Sequence, residues 1–336
     1  MKLVLLAGVI AMLMSIAAGP AFIAFVHRRS LGQHIREDGP AGHMSKQGTP
    51  TMGGLILLAC ALLTFAVLTK RTTPALTVAG VTLACASIGF IDDWLKAARQ
   101  RSLGLSGRWK MLLLVAVTAG LGYVAHRQHL STDVYLPLID VRLELGPLYY
   151  GLLFLVVAGG ANAVNLTDGL DGLAAGTMTI AMLTYTAMMV VAFLSRHGLT
   201  AEGDTSRIDL AIMGAALVGG CVGFLWYNAY PADVFMGDTG SFGLGGALAA
   251  MAVFTKTEFL LVLIGGVFVV EALSVAIQVL WFKTTRKRVF LMAPIHHHFE
   301  MLEWTENKII VRFWILASIC GASGFVLYYL AYSKYR

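Results

Sequence analysis

The chain has 336 residues, 57% of them hydrophobic and 13% charged, with a formal net charge of +6 and a mean hydropathy of +0.74. Soluble domains carry about 45–50% apolar and about 25% charged residues, so a soluble globular protein is excluded. Basic residues gather in short loops beside apolar runs, a pattern that reports membrane topology and sets nucleic-acid binding aside.

Apolar runs of roughly 15–25 residues recur along the whole length, enough for each to cross a hydrocarbon core about 30 Å thick. They are too long and too unalternated for barrel strands. The predicted fold class is therefore an all-α polytopic membrane protein, a single integral-membrane domain over 1–336. About ten spans are predicted, near 3–26, 52–69, 74–91, 110–126, 147–163, 172–194, 208–228, 239–254, 259–281 and 309–331. The first continues past Pro20 into His27, Arg28 and Arg29, a basic flank on the wrong side for a cleaved signal, and reads as an anchor. Between the fourth and fifth spans, VYLPLIDVRLELG (134–146) alternates enough for a short β-hairpin, against which only Pro137 argues. Loops 27–51, 92–110 and 282–308 hold roughly fourteen Lys and Arg against roughly seven in the opposite loops, so the richer side is cytoplasmic. An even number of spans then puts both termini in the periplasm. Cys60, Cys85, Cys221 and Cys320 stand singly within spans and read as small core hydrophobes, with no redox or metal role.

Two loops on the basic side break the charge pattern. Segments 162–171 and 228–238 contain no Lys or Arg yet hold Asp168, Asp171, Asp233 and Asp238. Asp92 and Asp93 end the third span in GFIDDWLK, and Asp238 opens the eighth in VFMGDTGS. Carboxylates within spans are costly and face a cavity or the interface. Brought together without cations they repel, and a hard divalent ion shared with substrate phosphates, usually Mg²⁺, resolves this. Asp168 and Asp171, three apart, lack the alternating carboxylates and closing Glu of an EF-hand. Lys46 and Thr51 in GHMSKQGTPTMGG, and Lys110 in GLSGRWK, suit phosphate as point charges beside flexible glycines. In MAPIHHHFE, the consecutive His296, His297 and His298 cannot readily converge on one tetrahedral zinc and read as a phosphate-facing loop. Asn228 and Phe235 in YNAYPADVFMGD offer an amide edge and an aromatic face, which a nucleobase uses. Gln278, near the cytoplasmic end of the ninth span, reads as a helix-to-helix hydrogen bond. Phosphoryl transfer between a soluble nucleotide and a lipid acceptor fits all these parts.

The set SKQGTPTMGG, GFIDDWLK, GLSGRWK, NAVNLTDGLDGLA, FLWYNAYPADVFMGDTGS and MAPIHHHFE resembles, in order and over about residues 20–315, the phospho-N-acetylmuramoyl-pentapeptide-transferase family of the polyprenyl-phosphate N-acetylhexosamine-1-phosphate transferase superfamily. The resemblance implies a Mg²⁺-dependent transfer from UDP-MurNAc-pentapeptide to undecaprenyl phosphate, giving lipid I and UMP. It also implies a ten-helix homodimer in the bacterial inner membrane. Catalytic aspartates fall on Asp92, Asp93 and Asp238, with Asp238 the metal ligand and Lys46 and His296 further catalytic positions. The nucleoside pocket falls on Asn165, Asp168, Gly169, Leu170, Asp171, Asn228 and Phe235. Thr51, Lys110, Asn162, Gln278, His297 and His298 match other substrate-binding positions. Leu291 stands where the family often has a basic residue.

Two rivals share some of these features. A transferase passing GlcNAc-1-phosphate to the same carrier would keep the carboxylates, and differs in the form of the histidine loop. A transporter of a nucleotide or lipid phosphate would place polar groups at the midplane on broken helices, whereas here they crowd one face.

Overall fold

The computed structural model describes residues 1–28, 48–99, 103–195 and 201–334. In chain order the helices are α1 (Lys2–Arg28), α2 (Gly54–Leu68), α3 (Thr73–Arg99), α4 (Gly107–Arg127), α5 (Leu148–Thr167), α6 (Leu173–Leu194), α7 (Ala201–Asn228), α8 (Gly237–Phe254), α9 (Glu258–Ile264), α10 (Gly266–Thr285), α11 (Ile295–Met301) and α12 (Glu306–Lys334). Among the described residues, eight helices are long and apolar enough to cross a membrane: α1, α3, α4, α5, α6, α7, α10 and α12.

The other two predicted spans are helical but do not reach that standard. α2 has 15 residues, and α8 dilutes its apolar side chains with glycine and carries Asp238. Burial explains the composition of α8. Every residue from Thr239 to Val253 is buried, because α3 and α5 pack along it. Small residues let these helices approach closely, the usual solution where lipid offers no hydrophobic drive between helices. At Gly89 of α3, a methyl group would lie 2.0 Å from the Asp238 backbone oxygen, so a side chain there would push α3 away from the start of α8. The predicted ninth span also differs from one continuous helix, because it breaks at Gly265 into α9 and α10.

The predicted hairpin is present. β1 (Asp133–Leu136) pairs antiparallel with β2 (Val141–Glu144), Asp133 opposite Glu144, and Pro137 falls in the turn, where it removes no ladder hydrogen bond. This hairpin end of the bundle carries its own polar fastenings. Asp209 of α7 accepts hydrogen bonds from the Lys70 and Thr72 backbone N–H groups just before α3. Tyr149 donates to Glu258, which Lys256 also contacts at 3.2 Å. The opposite end collects the C-termini of α3, α5, α7 and α10 and the N-termini of α4, α6 and α8. The predicted functional residues that the structure describes lie at or near those helix ends and in the loops joining them.

Candidate active site

Asp92 and Asp93 are adjacent on α3 but face different work. Asp92 is 1% exposed and is gripped by three donors. Lys96, one turn on, comes to 2.6 Å; Lys110 of α4 comes to 3.1 Å; and the Leu105 N–H donates at 2.6 Å. Asp93 caps a helix other than its own. Its carboxylate accepts the Asp238 N–H at 3.1 Å, and the Thr239 N–H and hydroxyl at 2.9 and 2.7 Å. These are unpaired donors of the first turn of α8, and a carboxylate suits that position by hydrogen bonding and by the helix dipole.

Asp238 is thereby placed at the tip of α8. Lys96 and Lys110 reach its two oxygens at 3.2 and 2.7 Å, and the Asn165 amide donates at 2.9 Å while also touching Ser241. The aspartates therefore do have basic partners, which corrects the expectation that they stand without cations. Lys96 sits among the topology-setting basic residues of the 92–110 loop, and nothing in the sequence separates it from an ordinary flank, whereas Lys110, expected to meet phosphate, pairs here with the carboxylates. Three carboxylates against two ammonium groups still leave negative charge in excess. Asp92, Asp93 and Asp238 each bring one oxygen within 4.8 Å of the others. Such hard donors suit a divalent cation of the Mg²⁺, Ca²⁺ or Mn²⁺ kind.

Around this cluster the loops are tied together by their own polar groups. Thr51 lies against Gly237, and residues 50–54 pair with 235–236: Phe235 N–H donates to Pro50 at 2.8 Å, and Gly53 N–H donates to Phe235 at 2.8 Å. Phe235 is half-buried. Asp171 accepts the Ala232 N–H at 3.1 Å, and Asn228 uses both ends of its amide, accepting from Gly172 and donating to Val234. Leu170 is buried against Ile309 and Phe313 of α12. Asp168, just past the end of α5, lies near Asp238, Asp93 and Asp171. Burial first, and then those negative charges, hold its carboxyl well above the usual carboxylate range.

The three histidines diverge. His296 contacts Glu271 of α10 at 3.1 Å, His297 contacts Glu300, and His298 accepts the Leu291 N–H at 3.1 Å. Their rings do not converge on one ion, as the sequence predicts. Gln278 accepts from Val289 and Phe290 and donates back to Phe290, so it braces the loop that leads to the histidines. Asn162 is not drawn into the cluster and donates to Ala158 within its own helix. Lys46 lies outside the described residues. Sequence reasoning missed Lys96, Thr239, Ser241 and Glu271, whose roles depend on contacts distant in the chain.

The chain is similar to known proteins. Residues 75–256 match the glycosyl transferase family 4 profile, and residues 46–58 match phospho-N-acetylmuramoyl-pentapeptide-transferase signature 1. A phospho-N-acetylmuramoyl-pentapeptide-transferase of Rubrobacter xylanophilus is 48% identical, covering 97% of each chain. Proteins of the same name from Frankia alni and Bacillus subtilis are 43% and 42% identical, covering 98% of each chain and 93% and 94%, respectively.

Proposed function

Because the chain belongs to the phospho-N-acetylmuramoyl-pentapeptide-transferase family, we propose that its carboxylate–lysine cluster is where phospho-MurNAc-pentapeptide passes from UDP-MurNAc-pentapeptide to undecaprenyl phosphate, yielding lipid I and UMP. The observation that carries this reading is the meeting of Asp92, Asp93, Asp238, Lys96 and Lys110 at one end of an apolar bundle. A soluble diphosphate and a lipid phosphate can both reach such a place.

The donor set fits Mg²⁺, with Asp238 as principal ligand beside the substrate diphosphate; a bound ion would supply charge neutralisation as the bond between the phosphates breaks. Lys96 and Lys110 hold charge on the phosphoryl oxygens, moving part of their attention from carboxylate to substrate. An oxygen of the lipid phosphate attacks the sugar-linked phosphorus, and UMP departs. Both Asp93 oxygens and Asp92 Oδ1 accept hydrogen bonds, and the Lys96 ammonium lies 2.6 Å from Asp92 Oδ2, which favours direct attack over a phospho-aspartate. Direct attack inverts configuration at phosphorus, whereas a two-step route retains it. The Asp168–Asp171 turn, Asn165, Asn228 and Phe235 frame the nucleoside side, with Phe235 stacking on the base. Thr51, Gln278 and the histidine loop border the sugar and phosphates.

The protein is a multi-pass bacterial membrane protein. In the proposed arrangement α2 and α8 complete ten crossings of the inner membrane, both termini are periplasmic, the site faces the cytoplasm, and the chain works as a homodimer. A purified sample should release UMP from UDP-MurNAc-pentapeptide and undecaprenyl phosphate, and little from UDP-GlcNAc. The reverse preference would move the chain to the related GlcNAc-1-phosphate transferases.

A further inference from the structure

Glu271 lies in α10, fully buried, outside the carboxylate cluster. An ionised group so placed needs a partner, and among the described residues its ion-pair partner is His296, through Oε2 and Nδ1 at 3.1 Å. Its other oxygen has no hydrogen-bond partner, so this one ring is what the side chain holds. His296 is also fully buried, and its second nitrogen, Nε2, is without a partner. That nitrogen faces the turn between α5 and α6: a methyl group on Gly169 would lie 2.3 Å from it. Gly169 stands beside Asp168, in the loop assigned to the nucleotide.

A carboxylate accepts and cannot donate, so it fixes the Nδ1 proton and leaves Nε2 as the nitrogen that meets whatever enters. We propose that Glu271 is the positioning residue for His296, holding the ring in the Nδ1–H form with Nε2 turned toward the substrate at the 168–171 turn. The substrate's identity rests on the reaction proposed above; the pairing itself does not.

Two measurements test it. The first is ¹⁵N NMR of histidine-labelled protein in nanodiscs, with the His296 signals assigned by their loss in His296→Gln. Nδ1 should appear protonated in the wild type; an unprotonated Nδ1 would overturn the proposal whatever the enzyme does. The second is kinetic. In Glu271→Gln the amide can donate to Nδ1 and favour the other tautomer. The kcat should fall at least about tenfold, toward the roughly 10⁴-fold loss known for a carboxylate–histidine pair given the wrong tautomer. Nucleotide KM should move less than about threefold, and Glu271→Asp should recover part of the loss. In a His296→Gln background, Glu271→Gln should cost nothing further. Unchanged kcat, or equal losses in both backgrounds, would overturn the proposal. Absence of lipid product from the wild type would count against the proposed reaction, leaving the tautomer measurement to decide the pairing.

Discussion

At the scale of single residues, the site depends on charges that balance one another before any substrate arrives. Lys110 touches both Asp92 and Asp238, so Lys110→Met leaves Lys96 as the one ammonium group beside them among the described residues. Removing one partner from such a group costs up to about 3–5 kcal/mol. The thermal midpoint should fall, and added Mg²⁺ should restore part of it; an unchanged midpoint with no response to Mg²⁺ would mean the lysine is not part of the balance. Gly169→Ala tests the closeness of the histidine ring. A methyl group there meets His296 at 2.3 Å, and relieving such crowding costs about 1–3 kcal/mol, so stability and kcat should both drop. Wild-type behaviour would show that the ring has room to move aside. Of these residues, Asp92, Asp93 and Asp238 were legible in the sequence because carboxylates stand out in apolar runs. Lys96 was not, because a lysine that neutralises a buried acid and one that marks the cytoplasmic flank look alike until the fold brings α3, α4 and α8 together.

Between elements, much of the polar chemistry is joinery. Asn228 was read as a base-recognising amide, yet its oxygen and nitrogen are taken up by Gly172 and Val234, tying the end of α7 to the loops on either side. Its influence on the nucleotide pocket then runs through the position of those loops. Asn228→Ala should raise nucleotide KM more than it lowers kcat, and should destabilise the protein by about 1–3 kcal/mol through the polar groups left unpaired. Equal falls in kcat and kcat/KM would place the amide in the transition state instead. Gln278 braces residues 289–290 in the same manner. The helical spans could be anticipated from apolar length, and the hairpin from alternation, but the break at Gly265 was masked because the run stays apolar on both sides of the Gly265-Gly266 pair. The low apolarity of α8 also made sense only once its place between α3 and α5 was known.

For the whole molecule, the two ends of the bundle differ in kind. One end gathers the carboxylates, lysines and histidine loop, and the other carries the hairpin and the Tyr149–Glu258–Lys256 contact. In the proposed topology, which rests on the distribution of Lys and Arg, the first end faces the cytoplasm. A cysteine at Asp140, in the hairpin turn, should react with an impermeant maleimide added outside intact cells; one at Arg288 should react only after the membrane is opened. Cys60, Cys85 and Cys221 are buried and Cys320 is half-buried, so the labelling is done in a Cys320→Ser background. The opposite pattern would invert the protein and place its site away from cytoplasmic nucleotide. The most direct test of the central claim compares UMP release by wild type and Asp238→Asn, each with Mg²⁺ and with chelator, at saturating UDP-MurNAc-pentapeptide and undecaprenyl phosphate. Wild type with Mg²⁺ should release UMP in step with lipid-linked product, while chelation or the substitution should each lower turnover by at least about 10²-fold. Comparable turnover in all four conditions would show that the carboxylates at the tip of α8 do not carry the reaction.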